Sequence, residues 1–455
     1  MKRKYFGTNG VRGEIGDLFT PTFISKMSSA IAAFMESKGT MVIGSDGRVS
    51  SLFVKNSASS SFLASGIEVI DIGMVPTPLV QFAVTHLKTD FGIVITASHN
   101  PPQFNGIKVI DQDGIEVDLD KQKKIEDIYD NEQFNFVSWE KNTKVAEIDL
   151  KSEYINQITS FVDIDLIKKK KLTSIVDGGN AVGGLITPLL LRKLGVKVHS
   201  INCQIDGRFP GRGVEPLPEN LETMAQASLF TQADFSVAHD GDADRAIFGD
   251  EKGTIFFGDK TIALFQRWIL NNEQNRTFVT PISSSNIVVD IAEELGGKII
   301  WTPVGCIYVS RKMIETNSIL GGEENGGLFY APHQSVRDGS MAAALMADIL
   351  SKTTVGLSEL VENLPQYHQK KHKMECSEQL KDIVMNYIMN NVQDAEEIST
   401  IDGVKIFFSD GWTLIRPSGT EPILRIFVES DSPEKAQKML KEGINLINKG
   451  IKDSC

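Results

Sequence analysis

Three aspartates stand at alternate positions in Asp240-Gly241-Asp242-Ala243-Asp244-Arg245, directly after the apolar run Phe235-Ser236-Val237-Ala238. With a glycine to ease the bend, such carboxylates converge on one point, where their mutual repulsion calls for a cation. Oxygen ligands alone favour a hard ion, and three carboxylates with room for a phosphate oxygen suit Mg²⁺. A solvated acidic turn is the plainer reading of the same residues. A calcium loop of the EF-hand kind is a third, since Asp240, Asp242, Asp244 and Glu251 keep its spacing. Against it, Arg245 sits where that loop needs glycine, and a strand precedes it where a helix is required. His239 neighbours the trio, but alternation along a strand turns it away from Asp240 and Asp242, as a packed strand-end histidine.

A second constellation is Thr96-Ala97-Ser98-His99-Asn100-Pro101-Pro102, after the apolar Ile93-Val94-Ile95 and before Asn105-Gly106 and Lys108. A serine at a strand end, among small residues and next to His99, is exposed enough to act as a covalent nucleophile or phosphate carrier. A purely structural turn is the alternative. No GxSxG elbow is present, which disfavours a hydrolase triad. In Arg416-Pro417-Ser418-Gly419-Thr420-Glu421-Pro422, a guanidinium, two hydroxyls and glycine-freed amides form the parts of a phosphate cradle, with Arg425 as a possible second fork. Glu323, Glu324 and Asn325 lie in the glycine loop 321–327, where carboxylates either accept from sugar hydroxyls or decorate a turn. Arg12, in residues 6–13, and Arg48, in residues 44–48, each sit in a glycine-rich turn. Such arginines either neutralise a transferring phosphoryl group or form surface ion pairs.

The elements that position these residues follow an α/β rhythm. Thr20-Pro21 opens a helix with Ile24, Met27, Ile31 and Phe34 on one face, closed by Gly39. Short apolar runs (41–43, 93–95, 175–176) each lead into a polar turn, and in α/β sheets ligands gather beyond the carboxyl ends of strands. Residues 206–218 read as a long loop and 168–171, four lysines, as a solvated boundary. Residues 423–428 read as a strand. Ser432-Pro433 then caps a helix with Ala436, Met439, Leu440, Gly443 and Ile447 on one face.

At 455 residues the chain is too long for one core, so three or four domains are expected. A net charge of −12 argues against a nucleic-acid surface, so cationic groups for an anionic ligand must be concentrated locally. No apolar run is long enough to span a membrane. The basic start leads into glycines where a secretory signal would be apolar, so export is not expected. The four cysteines, Cys203, Cys306, Cys376 and Cys455, lack CxxC spacing and read as reduced, mostly buried thiols of a cytoplasmic protein.

Taken together, from Phe6 to Arg425, these motifs resemble the α-D-phosphohexomutase superfamily. The resemblance implies three similar α/β domains with mixed sheets plus a smaller C-terminal α+β domain. The expected boundaries are 1–150 for the phosphoserine-bearing domain, 151–250 for the metal-binding domain, 251–368 for sugar recognition and 369–455 for phosphate binding. It implies that Ser98 carries phosphate and that Ser98, Asp240, Asp242 and Asp244 surround Mg²⁺. It places Arg245 beside that site, and Arg12, Lys108 and His99 are read as further catalytic candidates. Glu323 and Asn325 would recognise the sugar, while Arg416, Ser418, Gly419, Thr420 and Arg425 would bind the phosphate that does not react. Thr302-Pro303-Val304-Gly305 resembles a loop that helps to distinguish sugars.

Two departures stand out. Asn325 replaces a usual serine, and Gly327 stands where many bacterial relatives have a histidine considered for proton transfer. Lys108, and after it Arg12, are the candidates to assist that proton, an ammonium being able to release one when its neighbours shift it. The implied activity is interconversion of hexose 1- and 6-phosphates, glucose or mannose first, through a 1,6-bisphosphate that also serves as activator. Glucosamine phosphate is the close second, on the shared opening at residues 6–13. A metal-dependent sugar phosphatase and a silent phosphosugar-binding protein are the readings from other classes. The expected partner is a small phosphosugar, with no nucleic acid and no membrane, on a monomer or homodimer.

Overall fold

In the computed structural model, which describes residues 4–453 except 8, 393, 394 and 419–421, helix Pro21–Phe34 begins where the sequence says it should. The Thr20 hydroxyl accepts from the Phe23 amide at 3.3 Å, and proline occupies the first turn, where its missing N–H costs nothing. Ile24, Met27 and Ile31 are fully buried, each contributing about 2 kcal/mol of apolar burial. The chain divides into two compact units, Met1–Ile262 with Ile319–Val361 and Ala263–Ser318 with Glu362–Cys455. The fold is α/β: three α/β domains with mixed sheets and a smaller C-terminal α+β domain, as expected.

In the first unit, one sheet runs Val11–Glu14, Phe104–Asp111, Phe91–Ile95, Thr40–Ser45, Glu68–Met74 and Val145–Glu147. Its first two junctions are antiparallel and the rest parallel. Strand Phe91–Ile95 is buried throughout, which explains its continuous apolar run. A second sheet orders Ala246–Asp250, Phe235–His239, Thr173–Asp177 and Lys197–Ile201, with only the first junction antiparallel. An antiparallel meander of Leu320–Glu323, Gly327–Tyr330 and Gln334–Arg337 leads into helix Gly339–Ser351, buried at every position up to Leu350. The lysine run, expected as a boundary, is the last turn of helix Ile164–Lys170 with Lys171 in the left-handed cap, where cations complement the helix dipole.

In the second unit, Thr277–Pro281 pairs in parallel with Lys298–Thr302. A five-stranded antiparallel sheet orders His368–Glu375, Ile423–Ser430, Gly411–Pro417, Val404–Phe408 and Glu397–Ser399. Helix Pro433–Asp453 buries Ala436, Met439, Leu440, Gly443 and Ile447, the five residues its spacing singled out. Cys306 and Cys376 are buried and Cys203 is half-buried, while Cys455 lies outside the described residues. Among the described residues no helix is long and apolar enough to cross a membrane.

Candidate active site

Strand Phe91–Ile95 delivers Ser98 into a sharp turn, and two contacts set its shape. The Ser98 amide donates to Thr96 Oγ1 at 2.8 Å, and that hydroxyl donates to Asp46 Oδ2 at 2.7 Å. Ser98 adopts φ +50°, a left-handed conformation that costs a non-glycine residue about 1–3 kcal/mol and clusters at functional sites. Contrary to the expectation of exposure, Ser98 is fully buried, because the acidic loop closes over it. Arg48 also departs from both of its expected roles. It is a buried strut whose Nη2 donates to the carbonyls of Ser98 and Asn100 at 2.7 Å each, and whose Nη1 donates to those of Pro101 at 2.7 Å and Phe104 at 3.0 Å. Its Nε donates to Asp46 Oδ2 at 3.0 Å, so the guanidinium is spent on holding the serine loop.

The acidic loop joins the paired strands Phe235–His239 and Ala246–Asp250, not two helices, which removes the calcium-loop reading. Asp240, Asp242 and Asp244 are buried, with ligand oxygens all within 4.8 Å of one another. Gly241 is required by packing, since a Cβ there would lie 2.4 Å from the Ser98 carbonyl oxygen. Across that contact Ser98 Oγ donates to Asp240 Oδ2 at 2.9 Å. Thr77 Oγ1 donates to Asp242 Oδ2 at 2.6 Å, and Lys108 Nζ donates to Asp242 at 2.7 Å and Asp244 at 3.3 Å. Asp242 Oδ1 and Asp244 Oδ1 are buried without a hydrogen-bond partner. Buried carboxylate oxygens left without donors are costly, and an oxygen-seeking divalent cation satisfies them, so the donor set fits Mg²⁺. His239 points away as expected, with Nε2 on Thr187 Oγ1 at 2.8 Å and Nδ1 on the Arg245 carbonyl at 2.9 Å.

Burial, and then the neighbouring Asp244 and Asp242 charges, push the Asp240 carboxyl up to about 7. Burial would raise Asp242 too, but Lys108 and the Thr77 hydroxyl hold it below the usual carboxylate range. For Lys108, burial disfavours the ammonium, yet Asp242 and then Asp244 outweigh it and raise its pKa. The expectation that neighbours would ease proton release from Lys108 is thus reversed in sign. His99 Nδ1 faces Arg245 Nη2 at 3.1 Å, and Arg245, then burial, then Arg12 hold the imidazole neutral. Burial also lowers the Arg12 guanidinium from its ordinary value. Arg12 Nη1 donates to Asn100 Oδ1 at 2.9 Å, whereas Nε of Arg12 and of Arg245 are buried donors without a hydrogen-bond partner.

Glu323 ends the first strand of the meander, and burial raises its carboxyl while Arg337 opposes that. Asn325 Nδ2 donates to Glu323 Oε2 at 3.3 Å, and its Oδ1 accepts from the Gly327 amide at 3.0 Å. Arg337, which sequence reasoning passed over, donates to Glu323 Oε2 at 2.9 Å and to Asp244 Oδ2 at 2.5 Å. Its only sequence signal is an arginine just before Asp338, the cap of helix Gly339–Ser351. The first unit therefore assembles Arg12, Ser98, His99, Lys108, the three aspartates, Arg245, Glu323 and Asn325.

The second unit carries Arg416, Ser418 and Arg425; Gly419 and Thr420 lie outside the described residues. Arg416 and Arg425 stand directly opposite each other on adjacent strands, a pairing of like charges that favours an anion between them. Arg416 Nη2 also pairs with Asp402 Oδ2 at 2.9 Å, and the same oxygen accepts from the Val304 amide at 3.0 Å, tying loop 302–305 to the arginine turn.

Residues 3–136, 152–253 and 257–367 match alpha/beta/alpha domains I, II and III of the phosphoglucomutase/phosphomannomutase family, and residues 370–445 match its C-terminal domain. The chain is 41% identical over 453 residues to the phosphoglucomutase/phosphomannomutase of Thermococcus kodakarensis, covering 99% of each. It is 40% identical over 449 residues to the phosphoglucosamine/phosphogalactosamine mutase of Sulfurisphaera tokodaii, covering 96% of this chain and 98% of the other. The fold matches the crystal structure of a phosphoglucomutase/phosphomannomutase family protein from Burkholderia thailandensis with TM-score 0.87 at 24% identity, covering 97% of each chain. With all four domains matched in order along nearly the whole chain, this protein belongs to the phosphoglucomutase/phosphomannomutase family of the α-D-phosphohexomutase superfamily.

Proposed function

We propose that this mutase interconverts hexose 1-phosphates and hexose 6-phosphates by way of phosphorylated Ser98 and a hexose 1,6-bisphosphate, with Mg²⁺ held by Asp240, Asp242 and Asp244 beside Ser98. One observation carries the reading: Ser98 Oγ lies 2.9 Å from Asp240, within a buried carboxylate trio that retains two oxygens without hydrogen bonds. When bound, the cation would offset negative charge on the phosphoryl oxygens.

The chain's own residues do the rest. The sugar's free hydroxyl oxygen bonds to phosphorus as the bond from phosphorus to Ser98 Oγ breaks, and the hydroxyl proton is passed on so that Ser98 ends as an alcohol. Lys108, kept as an ammonium by Asp242 and Asp244, acts as a fixed positive charge that holds the acidic loop, and Arg12 is a second fixed charge of the same unit. The open Nε donors of Arg12 and Arg245 suit oxygens of the moving phosphoryl group. Glu323 and Asn325 accept from and donate to sugar hydroxyls. Arg416, Ser418 and Arg425, with Gly419 and Thr420, grip the phosphate that stays. The bisphosphate then returns its other phosphoryl group to Ser98, so it also acts as activator when the serine has lost its own.

Glucose and mannose phosphates are the preferred substrates and glucosamine phosphate the second reading, in keeping with relatives named for each. Phosphatase action is disfavoured by the family, since the relatives reported above are named as mutases. The ligand is a small phosphosugar, on a monomer or homodimer in the cytoplasm. The test is incubation with glucose 1,6-bisphosphate, followed by mass mapping and by turnover of glucose 1-phosphate, mannose 1-phosphate and glucosamine 1-phosphate. One phosphoryl group on Ser98, and loss of isomerisation in Ser98→Ala, are expected. An unmodified Ser98 with full activity in Ser98→Ala would refute the proposal.

A further inference from the structure

We infer that Arg337 is a positioning residue of the transfer site, holding the sugar-loop carboxylate Glu323 and the acidic-loop carboxylate Asp244 in one arrangement, in space that glycine at 327 leaves open. The inference rests on the proposed roles of those two loops. Arg337 is 7% exposed, and its two terminal nitrogens divide between the partners, Nη1 to Glu323 Oε2 at 2.9 Å and Nη2 to Asp244 Oδ2 at 2.5 Å. With the Asn9 amide turned to satisfy its neighbours, its oxygen also accepts from Nη2 at 3.2 Å while its nitrogen donates to Glu116 Oε1 at 3.2 Å. One guanidinium thus touches the turn before Arg12, the acidic loop and the sugar loop.

Both the backbone and the stem of Arg337 are constrained. Next to it, Asp338 accepts from the Met341 amide at 2.9 Å and, through Oδ2, from Tyr154 Oη at 2.6 Å, with His333 Nε2 and Gln334 Nε2 at 3.1 Å each. A Cβ on Gly327 would lie 2.4 Å from Arg337 Cδ and 3.0 Å from Cγ. Gly327 is not among the residues with positive φ, so glycine stands there for space and not for backbone freedom. The planar fork directs one terminal nitrogen at each carboxylate in a fixed geometry, which a lysine ammonium on the same backbone does not reproduce. Arg337 also places a positive charge against Asp244, which opposes arrival of a divalent cation at that carboxylate.

Full-length wild type, Arg337→Met, Arg337→Lys and Gly327→Ala are compared by calorimetric titration with Mn²⁺ and by kinetics on whichever of the three hexose 1-phosphates turns over fastest. Arg337→Met is expected to raise KM about tenfold through loss of Glu323 orientation, and to bind Mn²⁺ about threefold to tenfold more tightly. Arg337→Lys should return Mn²⁺ affinity towards wild type but leave KM raised. Gly327→Ala should raise KM alone, yet add nothing in the Arg337→Met background. A folded Arg337→Met with wild-type KM and wild-type Mn²⁺ affinity overturns the inference, as does additivity of the two substitutions. Should Arg337→Met fail to fold, Arg337→Lys and Gly327→Ala decide on the same two readouts. Absence of Mn²⁺ binding by wild type would instead overturn the reading of the aspartates.

Discussion

Replacing Arg48 by methionine removes the group on which the serine loop is hung, and the cost can be worked from its contacts. Four carbonyl oxygens lose a charged donor, at Ser98, Asn100, Pro101 and Phe104, and Asp46 loses its ion pair. A hydrogen bond to a charged group is worth about 1.5–3 kcal/mol, but these four share one side chain, and the loop can relax towards water, so they do not add. Asp46 keeps the Thr96 and Ser51 hydroxyls and the Arg48 amide, yet it remains a buried charge without a counterion, a situation that costs about 3–5 kcal/mol. A net loss of about 5 kcal/mol is expected, comparable with the whole stability of many domains. The reading is urea unfolding together with amide hydrogen exchange over residues 96–106, which should open first. Arg48→Lys should recover part of the loss. Asp46→Asn combined with Arg48→Met should be milder than Arg48→Met alone, because no charge is then orphaned. An unfolding curve within about 1 kcal/mol of wild type, with protection of 96–106 retained, would refute the reasoning.

Thr77→Val deletes the hydroxyl that donates to Asp242 at 2.6 Å, and loss of such a supporting contact should weaken Mn²⁺ binding about tenfold in calorimetry while the fold is kept. Lys405 in the second unit is a buried ammonium 3.9 Å from the Trp412 ring centroid, with Trp301 and Phe407 around it, and donates to the Ile282 carbonyl at 2.8 Å. Lys405→Met should cost about 3 kcal/mol in unfolding and shift the tryptophan emission, without changing Ser98 labelling by bisphosphate. Chelation of divalent cations should abolish phosphoryl exchange between bisphosphate and Ser98, and Mg²⁺ should restore it; exchange that persists in chelator would remove the cation from the scheme.

What the chain revealed on reading depended on how local the cause was. The buried face of helix Pro433–Asp453 could be read residue by residue, because a helix with one packed side writes its period into the sequence. The acidic trio was legible for a similar reason, since alternate carboxylates at a hairpin turn converge by themselves. Ser98 burial was not legible: it comes from Gly241 docking on the Ser98 carbonyl, a contact between distant segments. Arg48 was misread because its partners are backbone carbonyls, which no side-chain pattern announces. The direction of the Lys108 shift was missed because Asp242 and Asp244 lie 134 and 136 residues away. Arg337 sits on an ordinary strand, and only the meander register carries it to Glu323 and Asp244.

The charge of the site explains how an acidic chain can handle a dianionic phosphoryl group. Arg12, Lys108, Arg245 and Arg337 are gathered in the first unit, the local concentration of cations that a net charge of −12 demanded. Asp240, Asp242, Asp244 and Glu323 stand against them, with Glu215 paired to Arg245 at 3.4 Å. Four cations thus face five carboxylates, so the cluster carries no positive excess, and burial with the Asp244 and Asp242 charges pushes the Asp240 carboxyl upward. Such a cluster organises its loops well but has little attraction to spare for a dianion. A divalent cation held by Asp240, Asp242 and Asp244 would tip the cluster to net positive and supply that attraction. The ion pairs of Lys108 and Arg337 with the acidic loop would then hold the aspartates in place, which leaves the phosphoryl oxygens to the cation, Arg12 and Arg245.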